Sequence, residues 1–274
     1  MQLPAAELKV DHVTIAGRDL GVWQKTFDAA GITCEFGGKH TNSITEMAVA
    51  SFPDGSYLEI IAAQPGADLS KHYWGRFIEQ DAGACAWAVS VQSISEEAKR
   101  LRAAGIDIQP AASGRQRPDG VALRWTTATV GPPPQGSFFP FLIQDDTPRP
   151  LRVYPHGSPS VKTIDGVALV VIAVRDLDAA VRKWRSTFGL PDPRRQHDAY
   201  LGAGLAWFAD TPVVLASPMT ARIDKFGEAP VAFVLRAASL PAKANTGRAT
   251  WFGHPIAWFD PATLRGARIG VLTP

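Results

Sequence analysis

Two residues capable of acid–base chemistry lie on predicted strands of the same small sheet. His12 lies in the apolar stretch 10–15, and Glu59 lies in the stretch 57–61. Side chains alternate along a strand, so both point to the face opposite the one that packs on a helix. A carboxylate among apolar neighbours is costly to bury unless it is paired or bound to a metal. The pattern therefore predicts that His12 and Glu59 share a concave site, as acid and base or as metal ligands.

His40 could complete this site. It follows two glycines and a lysine, and we expect it in a Gly-rich turn. Two histidines and one carboxylate suit Fe²⁺, Mn²⁺ or Zn²⁺ and leave coordination positions open to a substrate. Such an ion would polarise adjacent substrate oxygens as a Lewis acid. His72 is a weaker candidate for the same role. The alternative is that His12 and Glu59 hydrogen-bond each other or a ligand, with no metal.

Three charged residues could bind the substrate: Arg115, Arg117 and Asp119. An arginine guanidinium offers a rigid fork of donors, which would suit an anionic or carbonyl substrate. The alternative for this stretch is a solvated turn before a hairpin.

Aromatic residues are expected to form another wall of the same cup. Tyr57 shares the strand face of Glu59, and Phe139, Phe141 and Ile143 lie two residues apart on a later strand. A cup with one polar wall and one aromatic wall suits a small, partly apolar molecule.

The elements that position these residues recur along the chain. Asp19 and Asp176 each follow an apolar stretch and precede apolar residues at helical spacing, and each helix is followed by a glycine, Gly31 or Gly189. The aspartates are therefore predicted helix N-caps, and the glycines are predicted helix stops. Fainter copies begin near residues 84 and 229. After each helix the sequence predicts strands.

These repeats predict an α+β fold of four βαβββ-type units, paired into two cupped half-barrels, with the second half degenerate. We expect a first domain of two units over residues 1–146 and a second, degenerate domain over residues 161–274. The Pro-rich stretch 147–160 between them is expected to be a linker.

Several motifs together resemble the vicinal oxygen chelate superfamily, which includes glyoxalase I, extradiol dioxygenases and fosfomycin-resistance enzymes. One is the strand and helix start His-Val-Thr-Ile-Ala-Gly-Arg-Asp-Leu at 12–20, and another is Tyr-Leu-Glu-Ile-Ile at 57–61. Three stretches resemble its glyoxalase-like domain branch: Gly-Gly-Lys-His at 37–40, Tyr-Leu-Glu at 57–59, and the series Arg115-Gln-Arg-Pro-Asp-Gly120, Leu123-Arg-Trp125 and Pro140-Phe-Leu-Ile143. The resemblance covers residues 8–146 well and the second half only through the repeat.

The resemblance implies that two βαβββ units form a cup and that a metal is held by His and Glu on the first and last strands of each unit. His12 and Glu59 match these positions in the first unit. The second unit departs from the pattern, with Ala86 and Phe141 near the matching positions. The second half has only apolar residues there. Two of the four usual ligands are therefore present, which places a standard metal site in question.

Charge and composition exclude several classes of protein. Lys and Arg number 28 and Asp and Glu 26, which gives a net charge of +2 with no basic cluster, so we expect no nucleic-acid partner. The longest apolar run, residues 167–174, is far shorter than the ~20 residues of a membrane span. Two cysteines and an N-terminal segment without signal-peptide features predict a cytoplasmic protein. Exchange of units between chains occurs in the superfamily, so the resemblance implies that the protein could be a homodimer.

We therefore expect a glyoxalase-like protein that acts on a small oxygenated metabolite, with His12 and Glu59 as catalytic residues or metal ligands and His40 as a third ligand. The reaction class could be that of a metal-dependent lyase, isomerase or dioxygenase. The alternative is a metal-free protein that binds or sequesters a small molecule.

Overall fold

Two eight-stranded sheets make up the computed structural model, which describes residues 7–274. Residues 1–6, part of the segment judged to lack signal-peptide features, lie outside the described residues. The strands of the first sheet are β1 Val10–Ala16, β2 Glu35–His40, β3 Thr45–Ser51, β4 Tyr57–Ala63, β5 Gly83–Ser90, β6 Ile108–Gln116, β7 Ala122–Val130 and β8 Phe141–Asp145. Those of the second are β9 Gly166–Ala173, β10 Arg194–Asp198, β11 Ala203–Trp207, β12 Val213–Ser217, β13 Ala229–Arg236, β14 Ala244–Trp251, β15 His254–Phe259 and β16 Ile269–Leu272.

The first sheet closes into a barrel in the order β1-β4-β3-β2-β6-β7-β8-β5. Strand β1 pairs in parallel with β4 and antiparallel with β5, and β5 pairs in parallel with β8. These parallel pairs require a crossover, which the helices supply. Each unit therefore runs strand, helix and three strands, as the repeats predict.

Within residues 7–274, six α-helices connect the strands. They are α1 Leu20–Ala29, α2 Gly75–Glu79, α3 Ile94–Ala103, α4 Arg149–Val153, α5 Leu177–Phe188 and α6 Thr220–Phe226. The predicted N-caps are confirmed, because Asp19 accepts the backbone N–H of Val22 and Asp176 that of Ala179. Gly189 has the left-handed φ of 67° that ends α5.

The second sheet has the order β10-β11-β12-β9-β13-β16-β15-β14 and stays open between β10 and β14. The Gln196 side chain bridges this gap, donating to Thr250 O and accepting from the N–H of Phe252. Apolar side chains, including the buried Trp251 and Trp258, fill the concave face. The prediction of two cupped half-barrels with a degenerate second half is confirmed, and the first is a closed barrel.

The two sheets share one core. Trp87 of β5 stacks on Trp184 of α5, whose ring also contacts Phe139 and Phe188. The expectation that Phe139 lines the cup is wrong. Phe139 precedes β8 and does not follow its alternation, so its ring packs between the halves.

The βαβββ pattern requires a strand directly after each helix, but the sequence did not show which residues form these strands, β2 and β6, and His40 ends β2 rather than lying in a turn. Two glycines obscure β2, because glycine is a poor strand former. Gly38 has a φ of +120° next to a register shift, and its backbone lies against that of Gln116 on β6. This close approach allows β2 to pair with β6 and thereby closes the barrel.

Replacement of Gly38 by Ala is expected to destabilise the protein by roughly 3 kcal/mol, because the added Cβ would lie 2.0 Å from Gln116 O. Urea unfolding measures this loss. Gly31→Ala is the matched control: its φ of +84° is also left-handed, but nothing lies within 4 Å of its Cβ, so a loss of about 1 kcal/mol is expected. Equal losses in both variants would show that barrel closure does not depend on this contact.

Between residues 7 and 274, no helix is long and apolar enough to cross a membrane.

Candidate functional site

The closed barrel contains a cavity of about 330 Å³. The ionisable residues that line it are His12, His40, Glu59, His72 and Arg115. Its aromatic lining consists of Tyr57, Tyr73, Trp74, Trp125 and Phe141. Seven of the candidates chosen from the sequence therefore meet at one place: the first three histidines in the chain, Glu59, Arg115, Phe141 and Ile143. Tyr57 joins them as expected.

Glu59 lies between two imidazoles. Its Oε2 is 3.6 Å from Nε2 of His12, and its Oε1 is 3.7 Å from Nε2 of His40. The Thr14 hydroxyl donates a hydrogen bond of 3.1 Å to Oε2. The side chains of Glu59 and His12 are only 6% and 5% exposed. Burial of this kind strengthens electrostatic interactions, so the carboxylate and both rings act as one unit.

Asp11 fixes the orientation of His12. A bulge in β1 leaves Asp11 without a partner on β5, so Asp11 and His12 depart from strict alternation. As a result the fully buried Asp11 carboxylate lies 2.7 Å from His12 Nδ1. The carboxylate can only accept, so the proton of a neutral His12 lies on Nδ1 and its Nε2 lone pair faces Glu59.

Thr45 has the corresponding role for His40. Its hydroxyl lies 2.9 Å from His40 Nδ1 and within hydrogen-bond distance of the Asn42 side chain. Burial lowers the pKa of His40 to about 4, although the neighbouring Glu59 acts in the opposite direction. His40 is therefore neutral at physiological pH, with its Nε2 directed at Glu59.

Two arginines balance the charge of Asp11. Arg152 donates to both Asp11 oxygens, at 2.9 and 2.8 Å, and Arg149 pairs with the same carboxylate. Arg152 also bonds the Tyr57 hydroxyl at 2.7 Å and Asp145 at 2.5 Å. Burial alone would raise the pKa of Asp11, but Arg152 and the His12 hydrogen bond hold it well below its usual range. Asp11 is therefore a carboxylate whenever the protein is folded near neutral pH.

The donor set of His12, His40 and Glu59 suits a divalent transition-metal ion: two imidazoles, each with its Nδ1 held by a hydrogen-bond partner, and one carboxylate. Within the described range 7–274, no group of three or more His, Cys, Asp or Glu side chains is placed so that it could hold a metal ion. The two His–Glu separations are a few tenths of an ångström longer than the roughly 3.0–3.5 Å between ligands of a first-row ion.

The three charged residues proposed for substrate binding have different locations. Arg115 is buried and lines the cavity. Arg117 instead pairs with Asp119 and donates to the carbonyls of Leu151 and Pro155. The Asp119 side chain is half exposed. Arg117 and Asp119 thus lie in a turn outside the cavity lining, and Arg117, whose side chain is only 10% exposed, ties this turn to the segment after β8.

Sequence reasoning missed Asp11, Thr45 and Arg152. Asp11 is visible in the sequence as an ionisable residue within an apolar strand. Strict alternation along the strand would, however, place its side chain on the face opposite His12. Arg152 lies on α4, within the stretch 147–160 expected to be a linker, and nothing in that stretch marks it. Its complete burial shows that this stretch packs onto the first barrel.

Comparison with known proteins gives a family for the chain. A protein-family model described as a glyoxalase-like domain matches residues 10–188, more than half of the sequence. No curated protein matches the sequence.

Solved structures with the same fold cover nearly the whole chain. A hypothetical protein from Staphylococcus aureus has a TM-score of 0.70 at 13% identity, covering 98% of this chain and 100% of its own. A mutant of 4-hydroxymandelate synthase from Streptomyces coelicolor has a TM-score of 0.62 at 9% identity, covering 99% and 93%. A fusion of a xylose isomerase-like TIM barrel with 4-hydroxyphenylpyruvate dioxygenase has a TM-score of 0.59 at 11% identity, covering 100% and 50%. At these identities the likeness concerns the fold alone.

The chain belongs to the glyoxalase-like domain family and has the fold of the vicinal oxygen chelate superfamily.

Proposed function

We propose that this protein is an enzyme that transforms a small oxygenated metabolite in the barrel cavity, with a divalent metal held by His12, His40 and Glu59. One observation carries the proposal: both imidazole Nε2 atoms face the same buried carboxylate, 3.6 and 3.7 Å away. The reaction would be of the lyase, isomerase or dioxygenase type.

The metal, when bound, would act as a Lewis acid that polarises substrate oxygens. The chain's own residues have defined tasks. Asp11 keeps the proton of a neutral His12 on Nδ1, which leaves its Nε2 available, and Thr45 orients the His40 ring through Nδ1. Ionised Glu59 is a pure acceptor, directed by the Thr14 hydroxyl. Tyr57 and Phe141, which contact the His12 ring, bound the space for the substrate.

Metal-free binding of a small molecule is the second candidate. The observation that favours it lies on the neighbouring strands β5 and β8, where Ala86 and Phe141 occupy the positions at which the superfamily resemblance implies a second pair of ligands. All candidate donors therefore come from one side of the cavity.

Metal titration of purified protein separates the two candidates. Calorimetry with Mn²⁺, Fe²⁺ and Zn²⁺ is expected to give one site per chain, and His12→Gln and His40→Gln are each expected to weaken it at least tenfold. His197→Gln is the control, because His197 lies on β10 of the second sheet. A wild-type protein without a stoichiometric site, or one weakened equally by His197→Gln, would contradict the metal assignment and leave the binding function.

The proposal includes a cytoplasmic location and a homodimer. Both cysteines, Cys34 and Cys85, are buried free thiols, which suits a reducing compartment. Burial raises the pKa of both thiols, so they stay protonated and inert.

A further inference from the structure

Arg115 has a guanidinium inside the cavity with few protein partners. It lies on β6 directly across from His40 on β2 and is only 2% exposed. Its Nε donates to Gly37 O at 3.0 Å and its Nη2 to Arg152 O at 2.6 Å. Among the residues that the structure describes, Nη1 has no hydrogen-bond partner. Nη1 is therefore free to donate a hydrogen bond to a ligand in the cavity.

The charge of Arg115 is also not balanced. Among residues 7–274, no carboxylate lies within 4.0 Å of its guanidinium, whereas Arg152, equally buried, pairs with both Asp11 and Asp145. Glu59, a nearby anion in the cavity, already contacts His12, His40 and Thr14. Burial lowers the pKa of Arg115 to about 10, so it is still a cation at neutral pH. An isolated buried charge is costly unless a partner compensates it.

An anionic group is the ligand that would compensate this charge. Nε and Nη2 of Arg115 already donate to carbonyl oxygens, so the free Nη1 can donate one charge-assisted hydrogen bond to a carboxylate oxygen.

The rest of the lining indicates the shape of the ligand. Trp125 stands edge-on to His40, and the Trp74 ring contacts Phe141. Trp74 is held by a hydrogen bond of 2.8 Å from its Nε1 to Gln135 O. Fixed aromatic walls of this kind favour a flat apolar body, and 330 Å³ is enough for one ring with a short side chain.

We propose that the cavity takes a small aromatic or similarly flat monocarboxylate, whose carboxylate binds Nη1 of Arg115 while its body lies along Trp125 and Phe141. This inference rests on the proposed function only in placing the substrate in the same cavity. Of the two substrate classes expected from the sequence, an anionic one and a neutral carbonyl compound, this inference favours the anionic one.

Matched acids and amides test the proposal. Benzoate and benzamide, and phenylacetate and phenylacetamide, have nearly the same shape and differ in charge. Calorimetry on the full chain at pH 7.5, with and without EDTA, is expected to show at least one acid binding about tenfold more tightly than its amide. EDTA removes divalent ions, so an acid preference that persists in its presence cannot come from a metal ion that binds the carboxylate.

The variant Arg115→Met is expected to weaken binding of that acid about tenfold and to change binding of its amide less than twofold. Arg117→Met is the control, since Arg117 pairs with Asp119 on the surface turn, and it is expected to leave both affinities unchanged. If the wild type binds each acid and the matching amide with affinities that differ by less than twofold, the proposal is wrong. This comparison uses only the wild type, so it does not depend on whether the Arg115→Met variant folds. A folded Arg115→Met protein that keeps the acid preference would also refute it.

Glu59→Gln separates this proposal from the metal site. It is expected to keep the acid preference, because Arg115 does not pair with Glu59. A wild-type protein that shows the acid preference but has no stoichiometric metal site would overturn only the proposed function, whereas a wild type that binds metal but shows no acid preference would overturn only this inference.

Discussion

Replacement of Glu59 by Gln is expected to weaken divalent metal binding by about 100-fold or more and to abolish turnover of any substrate. Gln keeps the shape of the side chain but removes the negative charge that both His12 and His40 face. It also replaces one oxygen acceptor with an amide donor, which cannot bind a cation. Calorimetric titration with the ion that binds the wild type measures the loss.

Glu46→Gln is the matched control for this prediction. Glu46 lies on β3, next to β4 in the same barrel, but it does not line the cavity. We expect Glu46→Gln to bind metal as the wild type does. Both variants should unfold within a few degrees of the wild type when no metal is added. If Glu59→Gln retains the metal affinity of the wild type, Glu59 is not a ligand, and the metal site proposed here does not exist.

Replacement of Arg152 by Met is expected to destabilise the protein by about 3–5 kcal/mol. Arg152 is fully buried and pairs with Asp11, which is also fully buried, as well as with Asp145. Removal of the cation leaves Asp11 with the partly exposed Arg149 and the His12 ring as partners, and leaves the Tyr57 hydroxyl without the Arg152 donor. Urea unfolding followed by circular dichroism measures the loss in the free energy of unfolding.

Two further variants make the Arg152 prediction specific. Arg149 pairs with the same carboxylate but is 27% exposed, so Arg149→Met is expected to cost about 1 kcal/mol. The double variant Asp11→Asn with Arg152→Met removes both buried charges and is expected to recover part of the loss. Equal effects of Arg152→Met and Arg149→Met, or no recovery in the double variant, would show that Asp11 does not depend on its buried partner.

The Arg152 network also connects stability to the site. Asp11 is the carboxylate that keeps a proton on His12 Nδ1, and Arg152 keeps Asp11 ionised. A loosened α4 would therefore alter the orientation of His12 as well as the folding energy. The main chain of α4 reaches the same region, because Arg152 O accepts from Arg115. One five-residue helix thus contacts Arg115 directly and His12 through Asp11.

Local patterns in the sequence were enough to predict the repeated units, the helix caps and the pairing of His12 with Glu59 in one site. An aspartate before an amphipathic stretch caps a helix wherever it occurs, as Asp19 and Asp176 do. Strand alternation places His12 and Glu59 on the inner face because a period of two is a property of the strand itself. The order of these motifs also carried the resemblance to the superfamily.

Only the tertiary structure decided which other groups meet them. His40 reaches Glu59 because β2 pairs with β6 and closes the barrel, a contact between residues more than 70 positions apart. Asp11 turns toward His12 because of a bulge, and Arg152 comes from a stretch without any sequence signal. The reason is physical: the sequence encodes local periodicity and capping directly, whereas the balance of a buried charge is set by whichever distant side chain the closed barrel brings to it. Arg115 shows the consequence, since only the folded barrel shows that its charge has no carboxylate beside it.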